Sequence, residues 1–239
     1  MKSRVDLHSH TIASGHAYNT LMEMTAEAAE KGLEMYGITD HAPSIPGSCS
    51  ELYFINFRAV DRSVFPLELL LGVELNIVNF DGKVDLRTSI LKKQDVTIAS
   101  IHKPCIKQGN KEDYTRAVIK AMENPLINII GHPDDERFPV DYEAITTAAK
   151  ETGTLLELNN SSLTEGAPRQ NARENDITML KLCAKKNIPI VMGSDAHFYT
   201  QVGDHTLAQE IIKEADFPEE LVLNYYPDKL RKYLNKYKQ

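Results

Sequence analysis

The chain has 239 residues, of which 42 % are hydrophobic, and its formal net charge at pH 7 is −7. This length allows one sizeable core, and no apolar run approaches the roughly 18 residues that a membrane span requires. The acidic balance disfavours duplex nucleic acid as a partner, because affinity for a duplex comes mainly from Lys and Arg on phosphates.

The three cysteines, Cys49, Cys105 and Cys183, are far apart in the chain and form no Cys-x-x-Cys pair. This pattern fits a reducing compartment and argues against both a disulfide framework and a thiolate zinc site. The first apolar run begins almost at the N-terminus, which leaves no room for a signal peptide. The sequence therefore predicts a cytoplasmic protein without a membrane segment.

Apolar runs alternate with helix-period segments along the whole chain. The runs predict seven strands, at residues 4–8, 35–39, 67–73, 96–101, 126–130, 154–158 and 188–192. Helical patterns cover residues 21–31, 54–65, 112–123, 141–152, 171–186 and 204–215. Continuous Val/Ile/Leu runs are typical of strands buried on both faces, and their alternation with helices predicts a parallel sheet closed or nearly closed into a barrel. We expect a single domain, 1–239.

Most of the histidines stand where an apolar run ends, and carboxylates accompany them. The metal-type side chains at six strand ends are His8, His10, His41, Glu74, His102, His132, Asp195 and His197, with His16 in the loop after the first strand. The sixth run lacks an obvious ligand and is followed by Asn159-Asn160-Ser161-Ser162. Because loops at the carboxyl ends of barrel strands converge, the pattern predicts one multi-metal site at the barrel mouth.

Imidazole nitrogen with a minority of carboxylate oxygen suits zinc, iron or manganese better than calcium or magnesium. Two metals close together suit phosphoryl chemistry, because they can activate water and stabilise the entering and leaving oxygens. Three divalent ions would bring six positive charges and leave the loaded protein at about −1, so the acidic chain remains compatible with a phosphorylated substrate.

The ordered motifs resemble those of the PHP (polymerase and histidinol phosphatase) superfamily, and most closely its small stand-alone phosphoesterases of the YcdX type. The motifs that carry this resemblance are His8-x-His10, His16, Asp40-His41, Glu74, His102, Gly131-His132-Pro133 and Gly193-Ser194-Asp195-Ala196-His197. The resemblance covers nearly the whole chain. It implies a distorted, TIM-like (β/α)7 barrel with a trinuclear centre, usually zinc and sometimes manganese or iron.

The resemblance also implies how the ligands are shared among the three metals. One metal would be held by His8, His10, Glu74 and Asp195. A second would take His102 and His132 and share Glu74 as a bridge. The third would be held by His16, His41 and His197. No ligand position is lost, which favours activity, with Asp195, Glu74 and His197 as the catalytic candidates.

The predicted reaction is hydrolysis of a small phosphomonoester. Candidate substrate contacts are Lys103, which follows His102, Tyr18, which is near His16, and Arg173, which matches an arginine of the YcdX-type pattern. An arginine fork suits bidentate phosphate binding, although Arg173 could also pair on the outer face of its helix; Arg169 lies in the same stretch. Lys107, in the same loop as Lys103, could also contact a phosphate. Asp40 has two interpretations: a carboxylate that orients a neighbouring imidazole, or an ordinary cap or turn residue.

Other functions stay open. A phosphodiesterase or nucleotide exonuclease of the same family would use the same metals, and a more distant amidohydrolase would use a similar barrel. A non-catalytic accessory protein would hold the ions for structure only. The composition does not decide the oligomeric state, so a homo-oligomer also stays open.

Overall fold

A computed structural model describes residues 1–235; residues 236–239 of the expected domain lie outside the described part. The strands are β1 Val5–Asp6, β2 Met35–Ile38, β3 Glu68–Leu71, β4 Val73–Asn76, β5 Thr97–Ser100, β6 Ile129–Ile130, β7 Leu155–Asn159 and β8 Ile190–Gly193. The helices are α1 Leu21–Glu30, α2 Glu51–Ile55, α3 Thr88–Leu91, α4 Lys111–Met122, α5 Tyr142–Thr152, α6 Ala172–Lys186, α7 Thr206–Glu214 and α8 Pro227–Arg231.

All strand pairs are parallel, in the orders β1-β2-β3 and β4-β5-β6-β7-β8. One residue, Gly72, separates β3 from β4, so the two are a single stretch of chain that pairs first with β2 and then with β5. A Cβ at Gly72 would lie 2.1 Å from the Val96 carbonyl oxygen, so only glycine allows this close approach. Counting β3 and β4 as one, the barrel has seven strands.

The carboxyl end of β8 meets that of β1. Asp195 N–H donates to the His8 carbonyl at 2.9 Å, and His10 N–H donates to the Ala196 carbonyl at 2.8 Å. These bonds join the outer strands of the two sheets beside the candidate ligands. The predicted distorted (β/α)7 architecture is confirmed.

Local sequence signals set the ends of several helices. Thr20 and Glu23 form a reciprocal capping box at α1, as do Asn110 and Asp113 at α4. Asp141 accepts two backbone N–H bonds at the start of α5. These caps satisfy amide groups that have no partner within the helix.

The core has two layers. The larger one packs helices against the outside of the strands. The smaller one, the inner plug, fills the amino end of the barrel with one or two apolar side chains from most strands and three from the C-terminal segment. Its members are Val5, Leu7, Met35, Leu70, Val96, Ile98, Ile129, Leu155, Val191, Leu223, Leu230 and Leu234. The C-terminal segment therefore closes the barrel at the end opposite the candidate ligands.

Three details differ from the sequence prediction. The continuous helix expected at 54–65 is wrong: α2 ends at Ile55 and is followed by short 3-10 turns at Asn56–Ala59 and Arg62–Val64. Glu74 lies within a strand, β4, because the chain continues as a strand beyond the bend at Gly72. The short helix α3 was not predicted. Within residues 1–235, no helix is both long and apolar enough to cross a membrane.

Candidate metal centre

The nine predicted ligands meet at the carboxyl ends of the strands. Their side chains come from β4 and from the loops after β1, β2, β5, β6 and β8. His8, His10, His41, His132, Glu74 and Asp195 are buried, whereas His102 and His197 are partly exposed and His16 is exposed. The imidazole rings of His10 and His41 are stacked with centroids 4.3 Å apart, and those of His16 and His197 are 4.8 Å apart. The barrel thus brings together all nine residues singled out in the sequence.

Glu74 lies at the middle of the cluster and faces imidazoles with both carboxylate oxygens. Its Oε2 is 2.7 Å from His41 Nδ1 and 3.5 Å from the Nε2 atoms of both His8 and His10. Its Oε1 is 2.9 Å from His132 Nε2 and 3.3 Å from His102 Nε2. A carboxylate with different nitrogen ligands around each oxygen has the arrangement of a bridging ligand.

Asp195 divides its two oxygens between the histidines and an arginine. Its Oδ1 lies 3.1 Å from His10 Nε2 and 3.6 Å from His8 Nε2. Its Oδ2 accepts a hydrogen bond from Arg169 Nη2 at 2.9 Å, and Arg169 Nη1 also donates to Ser162 Oγ at 3.2 Å. Arg169 is thereby fixed beside the cluster with most of its side chain buried.

Hydrogen bonds to the far ring nitrogens orient several imidazoles. His8 Nδ1 is 2.7 Å from Glu157 Oε1, and His102 Nδ1 is 2.7 Å from Asn76 Oδ1. The Nδ1 atoms of His16 and His197 lie 3.0 Å and 2.9 Å from backbone carbonyl oxygens. Since carbonyl oxygens only accept, these two rings carry a proton on Nδ1 and keep Nε2 available as a ligand.

Asp40 acts on His10 through a serine. The Ser14 hydroxyl donates to Asp40 Oδ1 at 2.6 Å and accepts from the His41 backbone N–H at 3.0 Å. Its remaining acceptor position faces His10 Nδ1 at 3.0 Å, so His10 donates from Nδ1 and presents an unprotonated Nε2 to the carboxylates. The Tyr53 hydroxyl donates to the other Asp40 oxygen at 2.7 Å. Of the two interpretations of Asp40, the structure favours the orienting carboxylate.

Sequence reasoning missed Glu157, which lies inside β7 and is 1 % exposed. It receives the His132 backbone N–H at 2.8 Å as well as the His8 ring. A Cβ at Gly193 would lie 1.9 Å from its Oε1, so this glycine makes room for the carboxylate. The available signal was a glutamate within the apolar run Leu155-Leu-Glu-Leu, because a charged side chain at a buried strand position requires a partner.

Two of the candidate ligands have left-handed backbones. His132 has φ = 30° and Asp195 has φ = 53°, values that residues other than glycine adopt infrequently. The bond from His132 N–H to Glu157 and that from Asp195 N–H to the His8 carbonyl hold these conformations. Such conformations persist where surrounding contacts fix them, and they are concentrated at functional sites.

The crowding of charges shifts pKa values in opposite directions. Burial alone would raise the pKa of Glu74, but His102, His41 and His8 outweigh it and hold that pKa well below the usual range. Burial, reinforced by His41 and His197, holds the pKa of His10 well below the usual value. Glu74 is therefore ionised and His10 neutral, the forms in which both residues bind metals.

The centre also contains buried polar atoms that no protein group satisfies. Within residues 1–235, His8 Nε2, His10 Nε2, His41 Nδ1 and Glu74 Oε2 make no well-aligned hydrogen bond, although His41 Nδ1 and Glu74 Oε2 are only 2.7 Å apart. Buried polar atoms without well-aligned hydrogen bonds are costly, and a cation between these nitrogens and an ionised carboxylate removes that cost. The residues present therefore fit metal ions.

Three overlapping groups of ligand atoms each lie within 4.8 Å of one another: His8-His10-Glu74, His41-Glu74-His102 and His10-His41-His197. The first group is part of the set expected for one metal. The other two differ from the expected sharing, because His41 lies against Glu74 and because His10 stands with His41 and His197. His16 remains close to the third group, with its Nε2 3.1 Å from His197 Nε2.

A cleft with a volume of about 360 Å³ opens over the ligands. Lys103 and Arg169 are among its lining residues. Arg173 lies on α6, away from the cleft, and pairs with Glu214. Tyr18 is 75 % exposed and is not among the lining residues. Of the substrate candidates, the structure brings Lys103 to the site and leaves Arg173, Tyr18 and Lys107 outside it. Arg169, which the sequence did not single out, lies at the site instead.

Comparisons with known proteins agree with this geometry. The PHP domain family matches residues 6–163, and a family described as PHP-associated matches residues 172–222. A probable phosphatase of Caldicellulosiruptor saccharolyticus is 48 % identical over 92 % of this chain and 91 % of its own length. A probable phosphatase of Acetivibrio thermocellus is 39 % identical over 100 % of this chain and 98 % of its own.

A solved structure shares the fold. It is a histidinol phosphate phosphatase from Lactococcus lactis, complexed with zinc, L-histidinol and phosphate. The match has a TM-score of 0.59 and 18 % sequence identity, and it covers 91 % of this chain and 95 % of the other.

Proposed function

This chain belongs to the PHP domain family, and on that basis we propose that it is a metal-dependent phosphatase that hydrolyses a small phosphomonoester. The observation that carries the proposal is the position of Glu74 between two sets of imidazoles, of which His41, His102 and His132 line an open cleft. The relatives named probable phosphatases and the zinc-containing histidinol phosphate phosphatase of the same fold support it.

We propose three divalent ions, of zinc type, with manganese or iron as substitutes. The first would be held by His8, His10, Glu74 and Asp195, the second by Glu74, His102 and His132, and the third by His41 and His197 with His16. When bound, such ions supply Lewis-acid activation of water and positive charge for the phosphoryl group. Six of the nine residues are buried, so the site would also shield these charges from water.

The protein's own groups provide the rest of the chemistry. Arg169 lines the cleft next to Asp195, where its guanidinium can bind an oxygen of the dianionic phosphate. Glu157, Asn76 and the Asp40–Ser14 pair hold His8, His102 and His10 in one tautomer and orientation. A preorganised array of this kind stabilises developing charge without rearranging during the reaction.

The test is phosphate release from p-nitrophenyl phosphate and a panel of small phosphomonoesters that includes histidinol phosphate. The protein is loaded with zinc or manganese, its metal content is counted beforehand, and Asp195→Ala serves as the control. We expect about three ions per chain and turnover that the substitution abolishes while the thermal transition persists.

A diester, bis-p-nitrophenyl phosphate, is assayed in parallel. Turnover of the diester alone would replace the proposal with a phosphodiesterase. A metal-loaded protein that hydrolyses neither class would favour the accessory role.

A further inference from the structure

Three cations stand on one side of the cleft. Lys103 follows β5, Arg137 follows β6 and Arg169 follows β7, and all three line the cavity. These strands are neighbours in the sheet, so their loops adjoin at the barrel mouth. The only acidic side chains lining the cavity within residues 1–235 are Asp135 and Asp195.

Each of the two carboxylates is already neutralised by an arginine. Asp195 pairs with Arg169 at 2.9 Å, and Asp135 receives Arg137 Nε at 2.9 Å and Nη2 at 2.5 Å. Lys103 has no acidic partner within ion-pair distance among the described residues, and it is exposed. The three cations therefore outnumber the two carboxylates, and the excess positive charge of this wall is that of Lys103.

Arg137 is held in place more firmly than an ordinary surface arginine. Asp135 is 5 % exposed and accepts from both Nε and Nη2 of Arg137, and the guanidinium carbon lies 5.7 Å from the centre of the Phe138 ring. Arg137 Nη1 donates no hydrogen bond within residues 1–235. A fixed guanidinium with a free edge loses little entropy when it binds an anion.

The cleft also has an apolar surface and room for more than a phosphate. Ile45, Ile101 and Phe138 line it together with the cations. Its volume of about 360 Å³ is within the range of small-molecule sites. The cavity that holds the candidate ligands and the cations Lys103 and Arg137 therefore also offers apolar contacts to the body of a leaving alcohol.

We infer that the phosphoester cleaved at this site bears a second anionic group on its leaving alcohol, and that Lys103 and Arg137 bind that group. This inference rests on the proposed phosphatase function. The second anion can be a carboxylate or another phosphate, since both match an ammonium and the free edge of a guanidinium. An alcohol with a positive charge at the same place would be repelled.

The test compares three aryl phosphates of matched shape: 4-carboxyphenyl, 4-methylphenyl and 4-(aminomethyl)phenyl phosphate. At low salt we expect kcat/KM about fivefold higher for the carboxylate than for the methyl compound, and lowest for the amine, with the differences mainly in KM. Half-molar salt should reduce this preference, because it screens charges at a solvent-exposed rim. A fourth probe, 1,4-phenylene bisphosphate, carries phosphate as its second anion. Comparing its kcat/KM per ester with that of the carboxylate compound shows which of the two anions the site prefers.

Two substitutions locate the effect. Lys103→Gln should lower the carboxylate-to-methyl ratio about threefold and Lys103→Arg should restore it, and Arg137→Gln should lower it by at least as much. Lys107→Gln is the matched control: it removes an exposed lysine of the same loop that does not line the cleft, and it should leave the ratio unchanged.

Equal kcat/KM for the three compounds, or a ratio that Lys107→Gln lowers as much as Lys103→Gln, would overturn the inference and leave the proposed phosphatase function intact. No turnover of any aryl phosphate by metal-loaded protein would overturn both. Calorimetry measures the binding of the three corresponding aryl phosphonates. We expect the carboxylate to bind most tightly and the amine most weakly.

Discussion

The two ends of the barrel are built on opposite principles. At the amino end, Leu230 and Leu234 of the C-terminal segment are completely buried in the apolar inner plug, and the buried amides beside it, Asn128 and Asn224, have hydrogen-bond partners. At the carboxyl end, buried histidines and carboxylates face one another, four of their ligand atoms make no well-aligned hydrogen bond, and two residues have left-handed backbones. The amino end supplies stability, whereas the carboxyl end uses part of it to hold a reactive arrangement.

The largest expected effect is at Glu74. Glu74→Gln replaces one carboxylate oxygen of the proposed bridging residue with an amide nitrogen that cannot bind a cation. We expect phosphate release to fall about a thousandfold or more, and the count of bound metals to drop. Both are measured on purified protein. Glu30→Gln, an exposed glutamate on α1, is the control. A variant that keeps its turnover would show that the carboxyl end of the barrel is not catalytic.

A substitution in the inner plug should lower stability and leave activity unchanged. Leu230→Ala opens a cavity at a fully buried position and should lower the free energy of unfolding by about 2–5 kcal/mol. Well below the melting temperature, kcat should stay at the wild-type value, because Leu230 lies at the end opposite the metal centre. Denaturant titration and initial rates measure the two quantities. Leu52→Ala, at a position 68 % exposed, should change neither. A loss of kcat in Leu230→Ala would show that the two ends are coupled.

A smaller effect is expected at Glu157, beneath the metal centre. Glu157→Gln keeps a hydrogen-bond acceptor for the His8 ring but removes the negative charge that favours its Nδ1 proton. Metal affinity should fall about 10- to 100-fold, the usual effect of altering a group that supports a ligating histidine. Competition with a chelator measures this affinity. Glu165→Gln, an exposed residue in the loop after β7, should leave it unchanged. Equal affinities of the two variants would contradict the orienting role of Glu157.

The comparison between the two ends also explains what the sequence could predict. The seven apolar runs and the ligands that follow them are local patterns, so the barrel and the positions of its candidate ligands could be predicted. The switch of strand partners at Gly72 depends on the approach of Val96, which is distant in the chain. Because this switch cannot be seen in the local sequence, the strand was expected to end before Glu74, and Glu74 was expected in a loop.

The residues that orient the candidate ligands are also determined by contacts between distant parts of the chain. Glu157 is 149 positions from His8, and no local pattern joins them. Arg173 matches a motif, but whether it reaches the cleft depends on which side of α6 faces the cleft. In the structure Arg169 precedes the helix and reaches Asp195, while Arg173 pairs with Glu214 on the exposed surface.

The smallest predicted effect concerns a buried pair of acids, Asp134 and Asp176, whose four carboxylate oxygens have no hydrogen-bond partner within residues 1–235. Burial raises the pKa of Asp134 to about 6. Burial, with Asp134 and Glu157 nearby, raises the pKa of Asp176 well above its usual value of 3.8. The folded protein therefore retains a proton that the unfolded chain releases. The resulting loss of stability is absent below pH 3.8 and grows as the pH rises towards the folded pKa.

Asp176→Asn removes this titration and should stabilise the protein at pH 7.5 by about 1 kcal/mol, with little gain near pH 4. Thermal unfolding of the metal-free protein at both pH values measures the difference. Glu174→Gln, an exposed residue on the same helix, should show no gain at either pH. A stabilisation independent of pH would show that Asp176 is ionised in the folded state. This substitution tests whether buried acids outside the candidate metal centre also lower the stability of the carboxyl end.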